Sequence, residues 1–172
     1  MKINLHKFYK PIGEILLASF LSLCFVTTAC AKLNPELQCL TVGIFLESRG
    51  ESLLGQQLVA KVILNRVEHP SFPDTICKVV FQPKQFSWYN QGKTKALGSL
   101  LKGSTRGLNP KDIAAYREAQ FIALTLFKQG IDLHPKWDKA LYFLHKDVVK
   151  KQRWLTKKKF IGKVGPHRFY GN

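Results

Sequence analysis

The run Phe45-Leu46-Glu47-Ser48-Arg49-Gly50-Glu51 is the densest polar cluster in an otherwise apolar stretch of the chain. A carboxyl group that emerges where a buried helix ends sits in a partly desolvated place, and burial disfavours its charged form. Such a group keeps its proton closer to neutrality and can serve as a general acid. Glu47 is the candidate for that work. On spacing alone the competing reading is a solvated helix-end salt bridge to Arg49, which is the commoner fate of such pairs.

The elements that must hold Glu47 can be read from caps and apolar spacing. Asn34-Pro35-Glu36 is an N-cap followed by proline in the first turn, opening a helix through Leu37, Leu40, Ile44 and Phe45 that should stop near Gly50. A second helix begins at Ser52 and carries Leu54, Leu58, Val59, Val62 and Ile63 in steps of three and four, ending around Asn65-Arg66. Arg66 reads as structural, favouring that helix end and available to pair with Glu51 or Asp74. His69-Pro70 to Pro73 interrupts the helix, and Asp74 or Thr75 can cap a short third one through Ile76, Cys77 and Phe81.

A polar loop then exposes Gln85-Phe86-Ser87-Trp88-Tyr89, and Asn109-Pro110 opens a long helix closed by Gly130. Four helices are therefore expected to build most of the core. Ala140 to Leu144 is a short β-like run, and residues 159–164 and 167–170 alternate around Gly165-Pro166 as a hairpin. The expected fold class is α+β, mainly α, with a small antiparallel sheet near the C-terminus. Between Gly92 and Leu108, and from Lys146 to Lys159, the chain is lysine-rich and offers no clear element.

The first 31 residues stand apart. Lys2, Lys7 and Lys10 precede an apolar run from Ile15, and Ala29-Cys30-Ala31 supplies small residues for cleavage after Ala31, so residues 1–31 are expected to be a signal peptide and 32–172 the working domain. An uncleaved anchor and lipidation at Cys30 are the alternatives, the first opposed by a run shorter than the roughly 20 residues a span needs, the second by Thr27 standing where a lipoprotein carries a bulky aliphatic. Removing three lysines and Glu14 with that segment lowers the formal charge from +16 to +14. Such a charge draws the domain to a polyanion, and export favours a carboxylate-rich wall polymer in the periplasm or outside the cell over nucleic acid; membrane contact is expected only through the leader or a lipidated Cys30.

Of four cysteines, Cys24 and Cys30 fall in the leader and Cys39 and Cys77 remain. An oxidising compartment favours a bridge between them, closing a loop of about forty residues and contributing on the order of 3 to 4 kcal/mol. Two free buried thiols are the alternative. The cysteines form no CxxC pair, and with His145 and His167 they show no zinc-ligand spacing, so neither metal nor other cofactor is expected.

The stretch from Cys39 to Trp88 resembles the SleB-type cell wall hydrolase family, known from spore-cortex-lytic enzymes. The matching pieces are Glu47 to Glu51, Gly55-Gln56, Val62 to Val67, Phe72-Pro73-Asp74-Thr75, the Cys39 and Cys77 pair, and Gln85-Phe86-Ser87-Trp88. Ala140 to His145 and Gly165 to Tyr170 extend the likeness more faintly over the whole domain.

The resemblance implies a lysozyme-like or transglycosylase-like fold, cleavage of peptidoglycan between N-acetylmuramate and N-acetylglucosamine, and Glu47 as the acid. Ser48 then either orients the Glu47 carboxyl or makes a plain helix-end hydrogen bond. Trp88 and Tyr89 are placed to stack on sugar faces, Gln85 and Tyr142 to bond sugar substituents, and His145 to stand in the cleft or to be a satisfied structural group; core packing is preferred for Phe86. Ordinary hydrolysis needs a second carboxylate ~5 to 9.5 Å from the acid. Glu51 and Asp74 are the candidates, and Gly50 separates Glu51 from the helical face of Glu47. A lone acid suits a lytic transglycosylase, which is the favoured reading. The alternatives are a non-catalytic cationic wall-binding factor on the same fold and, less favoured, an amidase or endopeptidase.

Overall fold

The side-chain oxygen of Asn34 accepts from the amides of Glu36 and Leu37 and starts α1 (Pro35–Ser48). The computed structural model describes residues 34–83, 85, 94–130, 132–149 and 152–172. Residues 1–33, with Cys30 among them, and Phe86, Trp88 and Tyr89 lie outside the described residues. Leu40, Val42, Ile44 and Phe45 are all but sealed from solvent, and Gln38, Thr41 and Ser48 are buried with them. A helix apolar on every side belongs in the middle of a core rather than on its surface. That is where α1 lies, touched by α2 (Leu53–Glu68), α3 (Ile76–Val80), α4 (Thr94–Leu101) and α5 (Pro110–Gln129).

Ser52, Thr75 and Asn109 cap α2, α3 and α5 through their side chains, and Gly130 closes α5 at φ 72°. These ends agree with the sequence expectation. Helix α4 does not: it occupies the lysine-rich stretch that gave no element. Its Leu100 is buried in the main core. Gln38 Nε2 donates to the Leu100 carbonyl at 2.6 Å and to the Tyr116 hydroxyl, which itself donates to Leu100 O at 3.0 Å. One buried polar knot thus joins α1, α4 and α5. Cys39 and Cys77 form a disulfide with Cα atoms 5.1 Å apart, tying α1 to α3.

Three strands, β1 (Tyr142–His145), β2 (Lys159–Val164) and β3 (His167–Gly171), form an antiparallel sheet in the order β1-β3-β2. The hairpin turns at Gly165, φ 53°, followed by Pro166. Tyr142, Tyr170 and Phe160 share one row across the sheet. A second, smaller core of Leu58, Val62, Trp137, Ala140 and Phe169 packs α2 and the 3-10 helix Pro135–Lys139 against the strands. The contact is close enough to need glycine: a Cβ on Gly162 would stand 2.8 Å from the Trp137 ring, and one on Gly171 2.5 Å from the Lys139 carbonyl.

The far end of α2 is fastened to the same region. Asn65 Nδ2 donates to Trp137 O at 2.9 Å and Ala140 O at 2.8 Å. The segment 146–159 contributes α6 (Lys146–Val149) and the 3-10 helix Arg153–Lys157. The result is the expected mainly helical α+β domain. No helix among the described residues is long and apolar enough to cross a membrane.

Candidate active site

Glu47 occupies the last turn of α1, half-buried, with its Oε1 out of contact with solvent. The helix-end pair suggested by sequence does not form, because Arg49 turns away, 3.6 Å from Asp112 and 5.3 Å from the Phe45 ring centroid. Arg66, from the last turn of α2, is a cation in electrostatic range of Glu47. Arg66 is 4% exposed and donates from Nε to Leu141 O at 2.7 Å. Its guanidinium lies 5.1 Å from the Phe72 ring centroid and 5.7 Å from that of Tyr142. Burial brings Arg66 down to about 10, opposed by the charges of Tyr142 and Glu47. It remains a cation at neutral pH, and the charges that act on it are those of Tyr142 and Glu47.

Arg66 also lines a polar cleft of about 400 Å³, together with Gln85, Tyr142, Leu144, Gln152 and Trp154. That volume is within the range of small-ligand sites. Tyr142 is held edge-on by Trp154, ring centroids 5.2 Å apart, with Lys158 Nζ 4.8 Å from its ring. Gln85 and Tyr142 line the same cleft. Arg66, Gln152 and Trp154 were not anticipated here. The only signal in the sequence was a tryptophan set among lysines.

Other candidates stand elsewhere. Ser48 is buried and donates from Oγ to Ile44 O at 2.8 Å, the helix-end bond that was one of its two readings. His145 is exposed at the opposite end of β1 from Tyr142, Nδ1 3.0 Å from Asp147 Oδ2, and does not line the cleft. Asp74 is exposed and bonded to Lys78 at 2.9 Å, which holds its carboxyl below the usual range. Glu51 follows the left-handed Gly50, φ 87°, and faces the hairpin: its Oε2 would lie 3.0 Å from a Cβ on Gly165. There it opposes the burial that pushes the His167 imidazole below its ordinary value, while His145 adds to that depression. Among the described residues no trio of His, Cys, Asp or Glu is placed to share a metal ion.

Residues 50–170 match the model of the cell wall hydrolase family. The chain belongs to the cell wall hydrolase family. Glu47 stands just ahead of the matched stretch, which opens at Gly50. Among similar members, the spore cortex-lytic enzyme of Bacillus cereus is 31% identical over 137 residues, covering 78% of this chain and 43% of that protein. The spore cortex-lytic enzyme of Bacillus subtilis is 28% identical over 139 residues, covering 79% and 37%. The chain therefore spans less than half the length of these relatives.

Solved structures of the family agree. The catalytic domain of the Bacillus cereus SleB protein superposes with a TM-score of 0.50 at 30% identity, over 79% of this chain and 89% of that one. The catalytic domain of the germination-specific lytic transglycosylase SleB from Bacillus anthracis gives 0.50 at 29% identity, over 80% and 94%.

Proposed function

We propose that this cell wall hydrolase is exported and cuts peptidoglycan glycan strands between N-acetylmuramate and N-acetylglucosamine as a lytic transglycosylase, with Glu47 as the single acid and base. The observation that carries the reading is the half-buried carboxyl of Glu47 beside Arg66, which lines the polar cleft. In the first step Glu47 gives its proton to the glycosidic oxygen, the bond to the muramoyl C1 breaks, and positive charge develops on the ring. In the second the Glu47 carboxylate takes the proton of the muramoyl C6 hydroxyl, whose oxygen bonds to C1 and closes an anhydro ring. The Arg66 cation lies in electrostatic range of the carboxylate that the second step requires.

Two further points support a lone acid. Asp74 is engaged by Lys78 in solvent, and Glu51 faces the hairpin and His167. The relative from Bacillus anthracis is named a lytic transglycosylase. Tyr142 and Gln85 would contact sugar in the cleft, and Trp88 and Tyr89 would add stacking surface; a satisfied, exposed pair with Asp147 is the better account of His145.

Digestion of purified sacculi with the protein, followed by mass spectrometry of the fragments, tests this directly. Anhydro-muramoyl ends are expected, and Glu47→Gln should reduce their release about a thousandfold while leaving the thermal midpoint nearly unchanged. Reducing ends instead would make the enzyme an ordinary hydrolase. Full activity of Glu47→Gln would remove the assignment.

A further inference from the structure

At the β2 edge of the sheet a second cavity of about 440 Å³ opens, lined by Lys136, Lys139, Lys159, Phe160, Ile161 and Asn172. It differs from the cleft in being cationic and apolar together. Phe160 is 51% exposed, a large ring left in solvent at the rim. Among the described residues none of the three lysines has a carboxylate within salt-bridge distance. The nearby acid, Asp138, is turned to Lys61 at 2.8 Å. Three lysines from two elements therefore line one cavity with an exposed apolar ring, a cationic lining that suits an anionic ligand. Lys136 Nζ lies 4.6 Å from the Trp137 ring centroid.

The cavity is set by packing. Gly162 and Gly171 let β2 and β3 lie directly on the 3-10 helix Pro135–Lys139, which places Lys136 and Lys139 opposite Lys159 and Phe160. It lies at the opposite edge of the sheet from Tyr142. Phe160 pairs with Tyr170 and Tyr170 with Tyr142 in one cross-strand row, whose middle member, Tyr170, is buried. Two strand spacings separate β1 from β2, about 10 Å. Four extended residues reach about 13 Å.

We propose that this cavity is a subsite for the stem peptide of peptidoglycan, which takes the peptide's free carboxylates on Lys136, Lys139 and Lys159 and its alanine methyls on Phe160. The assignment rests on peptidoglycan being the substrate. A muramoyl residue held at Tyr142 would send its stem across the sheet to β2, so that glycan and peptide are recognised together.

Isothermal titration of the purified protein with a free stem tetrapeptide, and with the same peptide fully amidated, tests it. The free peptide is expected to bind at least tenfold more tightly than the amidated one. The triple substitution K136Q, K139Q and K159Q, and separately F160A, should each weaken binding about tenfold or more. Both should slow digestion of peptide-bearing sacculi while leaving cleavage of peptide-free glycan strands unchanged. These surface substitutions leave the cores intact, which a thermal melt verifies. Equal binding of free and amidated peptide, unaltered binding by the triple variant, or binding of poly(glycerol phosphate) in place of the peptide would overturn the proposal. Loss of peptide binding in the triple variant of a protein that cleaves no glycan would instead sustain the subsite and remove the transglycosylase reading.

Discussion

Arg66 Nε donates to the carbonyl of Leu141 at 2.7 Å, so the last turn of α2 is bonded to the residue immediately before β1. The same guanidinium faces Glu47, Phe72 and Tyr142. One side chain thus connects the candidate acid, an aromatic wall of the cleft and the junction of the two cores. Arg66→Ala would remove the donor to the Leu141 carbonyl and a cation in electrostatic range of Glu47. It should destabilise the fold by about 3 kcal/mol and cut turnover at least a hundredfold, as read by urea midpoints and sacculus digestion. Arg66→Lys keeps the charge but lacks the planar fork, and should recover little of either.

The Cys39–Cys77 bridge closes a 38-residue separation. The chain-entropy relation for that loop gives about 4 kcal/mol. Reduction, or the Cys39→Ser and Cys77→Ser pair, should lower the thermal midpoint by on the order of 10 °C. Calorimetry with and without reductant checks this. A midpoint insensitive to reductant would mean that packing of α1 against α3 already secures the contact.

His167 gives a pH signature of known sign. Burial holds its imidazole below the ordinary 6.5, so on acidification the unfolded chain binds the proton first. Stability is full above about pH 6.5 and declines as the pH falls from there toward the folded-state value. His167→Gln should remove that slope while leaving the carboxylate-driven loss at lower pH. Urea midpoints measured from pH 8 to pH 5 on both proteins separate the two contributions.

Glycine substitutions discriminate close packing from free helix surface. Gly171→Ala would bring a methyl to 2.5 Å from the Lys139 backbone carbonyl. It should destabilise by about 1 to 3 kcal/mol. Gly98 in α4 meets nothing within 4 Å, and Gly98→Ala should stabilise by roughly 0.5 to 1 kcal/mol through helix propensity. Thermal melts of the two variants should move in opposite directions.

The parts of this fold written in local chemistry could be read from the chain. Asn34-Pro35 and Asn109-Pro110 announce their helices because capping and proline geometry need no distant partner. Gly165-Pro166 marks the hairpin for the same reason. Helix α4 was missed because Lys95 and Gly98 interrupt an apolar side, Leu97, Leu100 and Leu101, that becomes evident once it packs on the main core. The site divides likewise. Helix-end position alone was a weak signal for Glu47, which became the candidate because the stretch from Glu47 to Glu51 resembles the family motif, whereas the tie between Arg66 and Leu141 spans 75 residues and exists only after the two cores meet. Arg49 misled because adjacency in sequence favours a pair that Asp112, brought up by α5, draws apart.

Gly50, with its φ of 87°, reverses the backbone between Glu47 and Glu51. Four positions apart on an unbroken helix, the two acids would repel each other on one face. The reversal turns Glu51 toward the hairpin at Gly165, off the helical line of Glu47, and a side chain with a Cβ at position 50 would strain the turn that parts them.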